Sequence, residues 1–481
     1  MILVNTRSDQ IRNSLVSIAA IAAILGIVWG GSSYGKIGLL AVVGLVGLTV
    51  GIYVGLRHPL WYFWGLAAIM AGLQFGRIPG ISVPIYLPLA FGAIVAAFFH
   101  PRFAKSMHPL ETAVLILFFA SGVSMAITSF TLPDVSIYAR WGIATLVMVA
   151  LVRLAPHDLA TFGRIFAVVA GVNGLYGIFL ITLNPSNSTL SVFRVFGYLP
   201  EYTTARIAYS GAAAPTSLRL GGTWVDPNGA GLNLALALAL TMLLFVGWQR
   251  VVLAVAITAA LVMTLSRASL FTIVAGVLLL IVFHPMRSRA RVSVIAVTVL
   301  GAAGALAAEP VRRRLLSSFG SGDAGADARA DALRVFPDQM SGHWLVGWGW
   351  ARREFLDPAY AYVFNLPSNA PLVTLYRGGL LAFIPFVVVA VIGCIYGYKA
   401  LRGTSFPLAF YGAAFIGLCV VQMQLDHPLA GTPQGAATYS IFLAFMVYTD
   451  RERRQLRYAE RQAEPVRAGF TPAPTQYAVP R

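Results

Sequence analysis

Apolar runs follow one another along almost the whole chain, and the clearest of them, Gly229–Val246 and Gly379–Tyr398, contain no charged residue. Runs of this length cross a hydrocarbon core, which takes roughly 17–25 residues as a helix. Lipid offers no partner to a bare peptide group, so a crossing segment must satisfy its hydrogen bonds internally. The sequence therefore predicts an all-α polytopic membrane protein with about twelve to fourteen spans. Composition excludes the soluble alternative: 58% of residues are hydrophobic and 11% charged, where a soluble domain carries about a quarter charged residues.

Arginine placement orients the spans, because cytoplasmic flanks collect Lys and Arg. Counting from an inside N terminus with Arg7 and Arg12, the inside turns carry Arg57, Arg102 with Lys105, Arg153, Arg250, Arg287 with Arg289 and Arg291, and Lys399 with Arg402. Both termini are expected in the cytoplasm of a bacterial cell, with the chain in its inner membrane. The resulting division is N-terminal spans over 1–183, a first extracytoplasmic loop over 184–228, central spans over 229–308, a large extracytoplasmic loop over 309–377, C-terminal spans over 378–449, and a disordered tail over 450–481 that ends in a proline-rich stretch. In the membrane only such loops can keep irregular backbone beside water, so the site is expected there.

A net charge of +17 would ordinarily raise nucleic acid as a partner. Topology accounts for the excess, no basic stripe interleaved with aromatics stands out, and no nucleic-acid partner is expected. Cys394 and Cys419 both fall inside spans as small apolar residues, which gives neither a disulfide framework nor a metal site.

Four stretches carry chemistry. Arg219-Leu-Gly-Gly-Thr-Trp-Val-Asp-Pro-Asn228 leads from the first loop into a span. Its Asp226-Pro227 pair is helix-start chemistry, which leaves Arg219 and Arg206 as cations where topology does not ask for them. Thr264-Leu-Ser-Arg267 is a tight turn that sets Arg267 at headgroup depth, suited to clamping phosphate or simply to snorkelling. In the large loop, Asp323, Asp327 and Asp331 recur every four residues with Arg329 nearby and read as a solvated helical face; His343 and the Gly347-Trp348-Gly349-Trp350 run follow. Trp348 and Trp350 offer flat rings for stacking on sugars or for anchoring at the interface. Asn369 and Arg377-Gly378-Gly379 stand at the entry to the next span, where the glycine pair allows close packing or a broken turn.

In this order, from about Arg206 to Ala390, the motifs resemble the O-antigen ligase and polymerase superfamily of bacterial membrane glycosyltransferases. The resemblance implies transfer of a glycan from a polyprenyl-pyrophosphate carrier to a glycan or lipid acceptor hydroxyl at the outer face of the inner membrane. It implies Arg219, Arg267 and Arg329 as pyrophosphate ligands, no cofactor and no metal, and a flippase and a chain-length regulator as partners. Where ligases carry a His-Asn pair this chain has Ser368-Asn369, so the general base is sought among Asp226, His343, Glu354 and Asp426-His427. Catalytic roles are assigned to Arg219, Arg267, Asp226 and His343, and substrate contacts to Arg206, Arg329, Trp348, Trp350, Asn369 and Arg377. Polymerisation of lipid-linked repeats for capsule, exopolysaccharide or O-antigen is the leading expectation, since the ligase histidine is missing. The alternatives are a ligase moving finished glycan, a transporter or flippase, and a scaffold subunit.

Overall fold

The computed structural model describes the chain except for residues 1–43, 48, 81–82, 101–106, 129–130, 200–207, 212–213, 310, 313–323, 351–368, 426–431 and 468–481. Among the described residues, seven helices are long and apolar enough to cross a membrane and five shorter ones are apolar. The chain is thus an all-α polytopic membrane protein, with one short antiparallel hairpin, Ala208–Gly211 with Ala214–Leu218, in the first loop. The expected first span, near the N terminus, lies outside the described residues.

In chain order the helices are α1 (Gly44–Arg57), α2 (Leu60–Gly72), α3 (Tyr86–Phe99), α4 (Pro109–Thr128), α5 (Leu132–Val152), α6 (Pro156–Thr182), α7 (Pro227–Leu244), α8 (Gly247–Met263), α9 (Arg267–Phe283), α10 (Ser288–Ala307), α11 (Ala324–Gln339), α12 (Ala370–Leu401), α13 (Phe406–Leu425) and α14 (Pro433–Arg467). Helix α7 is the axis of the bundle. Of its membrane-length window 78% is buried, against none for α10, and it packs on α6, α8, α9, α13 and α14.

Several of the turns that the arginine count places on one side share one end of the bundle: the Arg153 turn and the Lys399–Arg402 turn both meet α14, and the latter also meets His284, while Arg102 and Lys105 lie outside the described residues. There Arg153 pairs with the fully buried Glu111 at 3.0 Å, and His108 meets Asp450 at 3.5 Å. Asp450 also takes Arg453 and Arg454, each at 2.7 Å, and Arg451 donates to the Val152 carbonyl. These contacts tie α4, α5 and α14 together at what is called below the basic end. Burying charge in this way is tolerable because each carboxylate faces at least one cation.

Two boundaries differ from those read in the sequence. Helix α12 begins at Ala370, inside the stretch assigned to the large loop, because Asn369 caps it and Pro371 fits its first turn. Helix α14 continues beyond 450 to Arg467, so the first part of the expected disordered tail is helical.

Candidate functional site

At the opposite end of the bundle, the first loop delivers Arg219 to the start of the axial helix. Arg219 Nε donates to the Thr264 carbonyl at 3.0 Å and Nη2 to Asn228 Oδ1 at 2.8 Å, while the Leu220 N–H bonds to the Met263 carbonyl. The motif before α7 is thereby tied to the turn before α9. Arg267, the first residue of α9, is three positions beyond the carbonyl that Arg219 grips. The two cationic motifs form one half-exposed patch.

Backbone conformation singles out the same two motifs. Val225 has φ 63 and Leu265 φ 51, a region that a branched side chain occupies only under strain of about 1–3 kcal/mol. Asp226 is the N-cap of α7: its Oδ2 accepts from the Gly229 N–H at 2.7 Å. One of its carboxylate oxygens is thus committed to holding the helix start.

The second loop reaches this end by a different device. Helix α12 is broken at Gly379, whose φ of 60 and ψ of −165 are open to glycine alone. A regular helix would pair the Leu380 N–H with the Tyr376 carbonyl and the Leu381 N–H with that of Arg377. Instead the segment Trp344–Gly349 inserts into the break. Leu380 and Leu381 donate to the carbonyls of Trp344 and Leu345, and those of Tyr376 and Arg377 accept from Trp348 and Gly349, all at 2.8–3.2 Å. These four backbone groups of the broken helix are thereby paired, as burial requires.

That insertion explains the glycines of the Gly-Trp-Gly-Trp run. A Cβ on Gly347 would stand 2.6 Å from the Arg377 carbonyl carbon. It also corrects the expected role of Trp350. Trp350 is 1% exposed, with its ring centroid 4.3 Å from that of Trp141, so it belongs to the core and has no face for a sugar. Trp348 donates its indole N–H to the Gln339 carbonyl and stacks on His343 at 3.5 Å.

Asn369 caps α12 through the Leu372 N–H and donates to Gln424 Oε1 at 2.9 Å. Arg377 is 6% exposed, about two turns into α12 and just before the break at Gly379. Arg329 lies on α11; its side chain, together with Arg206, Glu354, Ser368, Asp426 and His427, lies outside the described residues. Asp331 pairs with Arg334 on an exposed face, as a solvated helix would have it.

Sequence reasoning passed over the polar seam beneath this patch. Gln74 donates to Thr438 Oγ1 at 3.0 Å and accepts from Asn233 at 3.0 Å, and Thr438 donates to Asn233 Oδ1 at 3.2 Å. This closed ring joins α2, α7 and α14. Beside it Asn173 holds the Ala71 carbonyl and the Thr223 N–H. Further round, Ser269 of α9 donates to Gln422 on a π-bulge in α13; such bulges concentrate at functional sites.

Comparison of the chain with protein-family models gives no match, and neither does comparison with curated proteins.

Proposed function

We propose that the protein is a membrane glycosyltransferase that polymerises polyprenyl-pyrophosphate-linked glycan repeats at the outer face of a bacterial inner membrane, transferring them to the hydroxyl of a glycan acceptor. The observation that carries this reading is the joining of Arg219 to the Thr264–Arg267 turn through the Thr264 carbonyl. It holds two guanidinium groups at one end of a membrane-embedded bundle, where the headgroup of a lipid-linked donor lies.

The chemistry follows from that placement. Transfer breaks the bond between the donor sugar's anomeric carbon and the pyrophosphate oxygen, and negative charge grows on the leaving group. Fixed arginines stabilise that charge most where water is scarce, and planar guanidinium suits phosphate oxygens. Removal of the acceptor proton contributes about 10²–10⁴-fold and falls to Asp226, His343, Glu354, Asp426 or His427. Attachment of finished glycan to a lipid or protein acceptor uses the same patch and differs in the acceptor.

The break in α12 favours a second reading, a transporter, since discontinuous helices line many transport sites. Here, however, the carbonyls of Tyr376 and Arg377 accept from Trp348 and Gly349, so those two are not open to an ion.

The test is the lipid-linked glycan profile of cells whose copy is replaced by Arg219→Lys or Arg267→Lys, with membrane insertion checked by blotting. Lysine keeps the charge but cannot donate to Thr264 and Asn228 together. The proposal expects at least tenfold less product, with single repeats accumulating on the carrier; stranded full-length polymer would point to a ligase. A wild-type profile from both variants would refute the reading.

A further inference from the structure

The basic end holds a cavity of about 200 Å³ that the transfer reaction does not use. It lies between the turn from α12 to α13 and the part of α14 beyond the membrane. Arg402, Arg453, Arg457, Thr404, Ser405 and Glu460 supply its polar lining. Three guanidinium groups face one carboxylate there, and with the Arg453 charge matched by Asp450 a local excess of one positive charge remains. Glu460 is engaged by Thr404, whose hydroxyl donates to it at 3.3 Å.

Two features point to an anion. Helix α13 opens into the cavity with Ser405 as its N-cap, yet the Ser405 side chain accepts no capping hydrogen bond, so the first-turn N–H groups of Phe406 and Leu408, on either side of Pro407, are left for a ligand. Independently, Arg453 is buried to 10% side-chain exposure with one nitrogen on Asp450 at 2.7 Å, while its Nε has no partner among the described residues. A buried guanidinium N–H left unmatched is costly, and this one belongs to a side chain that lines the basic cavity.

We propose that this cavity binds a phosphate group, carried either by a membrane lipid's headgroup or by a soluble molecule. The volume is below that of sites for drug-sized ligands and suits a single tetrahedral anion with its waters. Phosphate matches the donors: arginine forks, hydroxyls and a helix N-terminus. The position, just past the apolar stretch of α14, is where headgroups lie.

The experiment uses the full chain in nanodiscs of neutral lipid and in nanodiscs containing phosphatidylglycerol. Inorganic phosphate is titrated calorimetrically into the first, and lipid retained after ejection from the second is read by native mass spectrometry. Saturable phosphate uptake identifies a soluble source; retention of one phosphatidylglycerol per chain without phosphate uptake identifies the headgroup. Arg402→Gln with Arg457→Gln leaves the Arg453–Asp450 pair intact and is expected to weaken whichever ligand binds at least tenfold. Ser405→Asp, which places a carboxylate at the helix start, is expected to do the same. The proposal is overturned if the wild-type chain takes neither ligand, or if both variants bind as the wild type does.

Discussion

Replacing Gly379 with alanine tests the sealed break in α12 directly. At φ 60 and ψ −165 the alanine backbone is strained by about 1–3 kcal/mol. Its methyl group would also overlap the carbonyl carbon and oxygen of Leu345, main-chain atoms that no rotamer change can move. The inserted segment must retreat, and the bonds from Leu380 to Trp344 and from Leu381 to Leu345 are the first to go. At about 1 kcal/mol each, these bring the expected loss to about 3–5 kcal/mol. With roughly 2 °C per kcal/mol in a long chain, the midpoint of thermal unfolding should fall by roughly 6–10 °C. Tryptophan fluorescence of the detergent-solubilised protein is the assay, since Trp348 and Trp350 flank the insertion. Gly301→Ala in α10 is the control: a methyl group there meets nothing within 4 Å, and helix propensity alone predicts a gain of up to about 1 kcal/mol. If Gly379→Ala melts within about 2 °C of the wild type, the break does not depend on the fit described.

Two further perturbations separate structural from chemical roles. Asp226→Asn keeps the cap on α7 whereas Asp226→Ala removes it at a cost of about 1 kcal/mol; if Asp226 serves only as a cap, asparagine leaves glycan transfer intact, and a loss of transfer with normal melting would make the carboxylate the base. At the basic end, burial pushes the Asp450 carboxyl up, but hydrogen bonds from His108 and Arg453 and the charges of Arg454 and Arg453 outweigh it and hold the group at about 2. A carboxyl depressed in the folded state stabilises above its unfolded pKa of about 3.9 and loses that contribution as pH falls towards 2. The Asp450 contribution to the melting temperature should therefore be constant around neutral pH and fall away between about pH 4 and pH 2, and a wild-type acid limb in Asp450→Asn would count against the assignment.

The spans were legible because lipid leaves a chain few choices: an uninterrupted apolar run such as Gly379–Tyr398 is a crossing helix whatever its neighbours do. Asp226-Pro227 was legible for the same kind of reason, a local cap with a local cause. The Gly-Trp-Gly-Trp run was misread since its glycines answer to backbone more than 25 residues further along, at Tyr376 to Leu381. Asn233, Gln74 and Thr438 each look like isolated polar residues in apolar sequence, and only tertiary packing makes them a ring. Likewise the arginine count puts Glu111 and Asp450, 339 positions apart, at the same end, but only tertiary packing shows Arg153, His108 and Arg451 bridging their helices.

The sealed break also constrains the order of assembly. A lone α12 with Gly379 already turned would carry the N–H groups of Leu380 and Leu381 bare into hydrocarbon, which lipid does not permit. The helix must therefore enter the membrane straight, with those groups bonded to the carbonyls of Tyr376 and Arg377. It trades them for Trp344 and Leu345 only once the preceding loop has docked. The kink then follows the docking of that loop, a switch from local to distant pairing in which two backbone bonds give way to four.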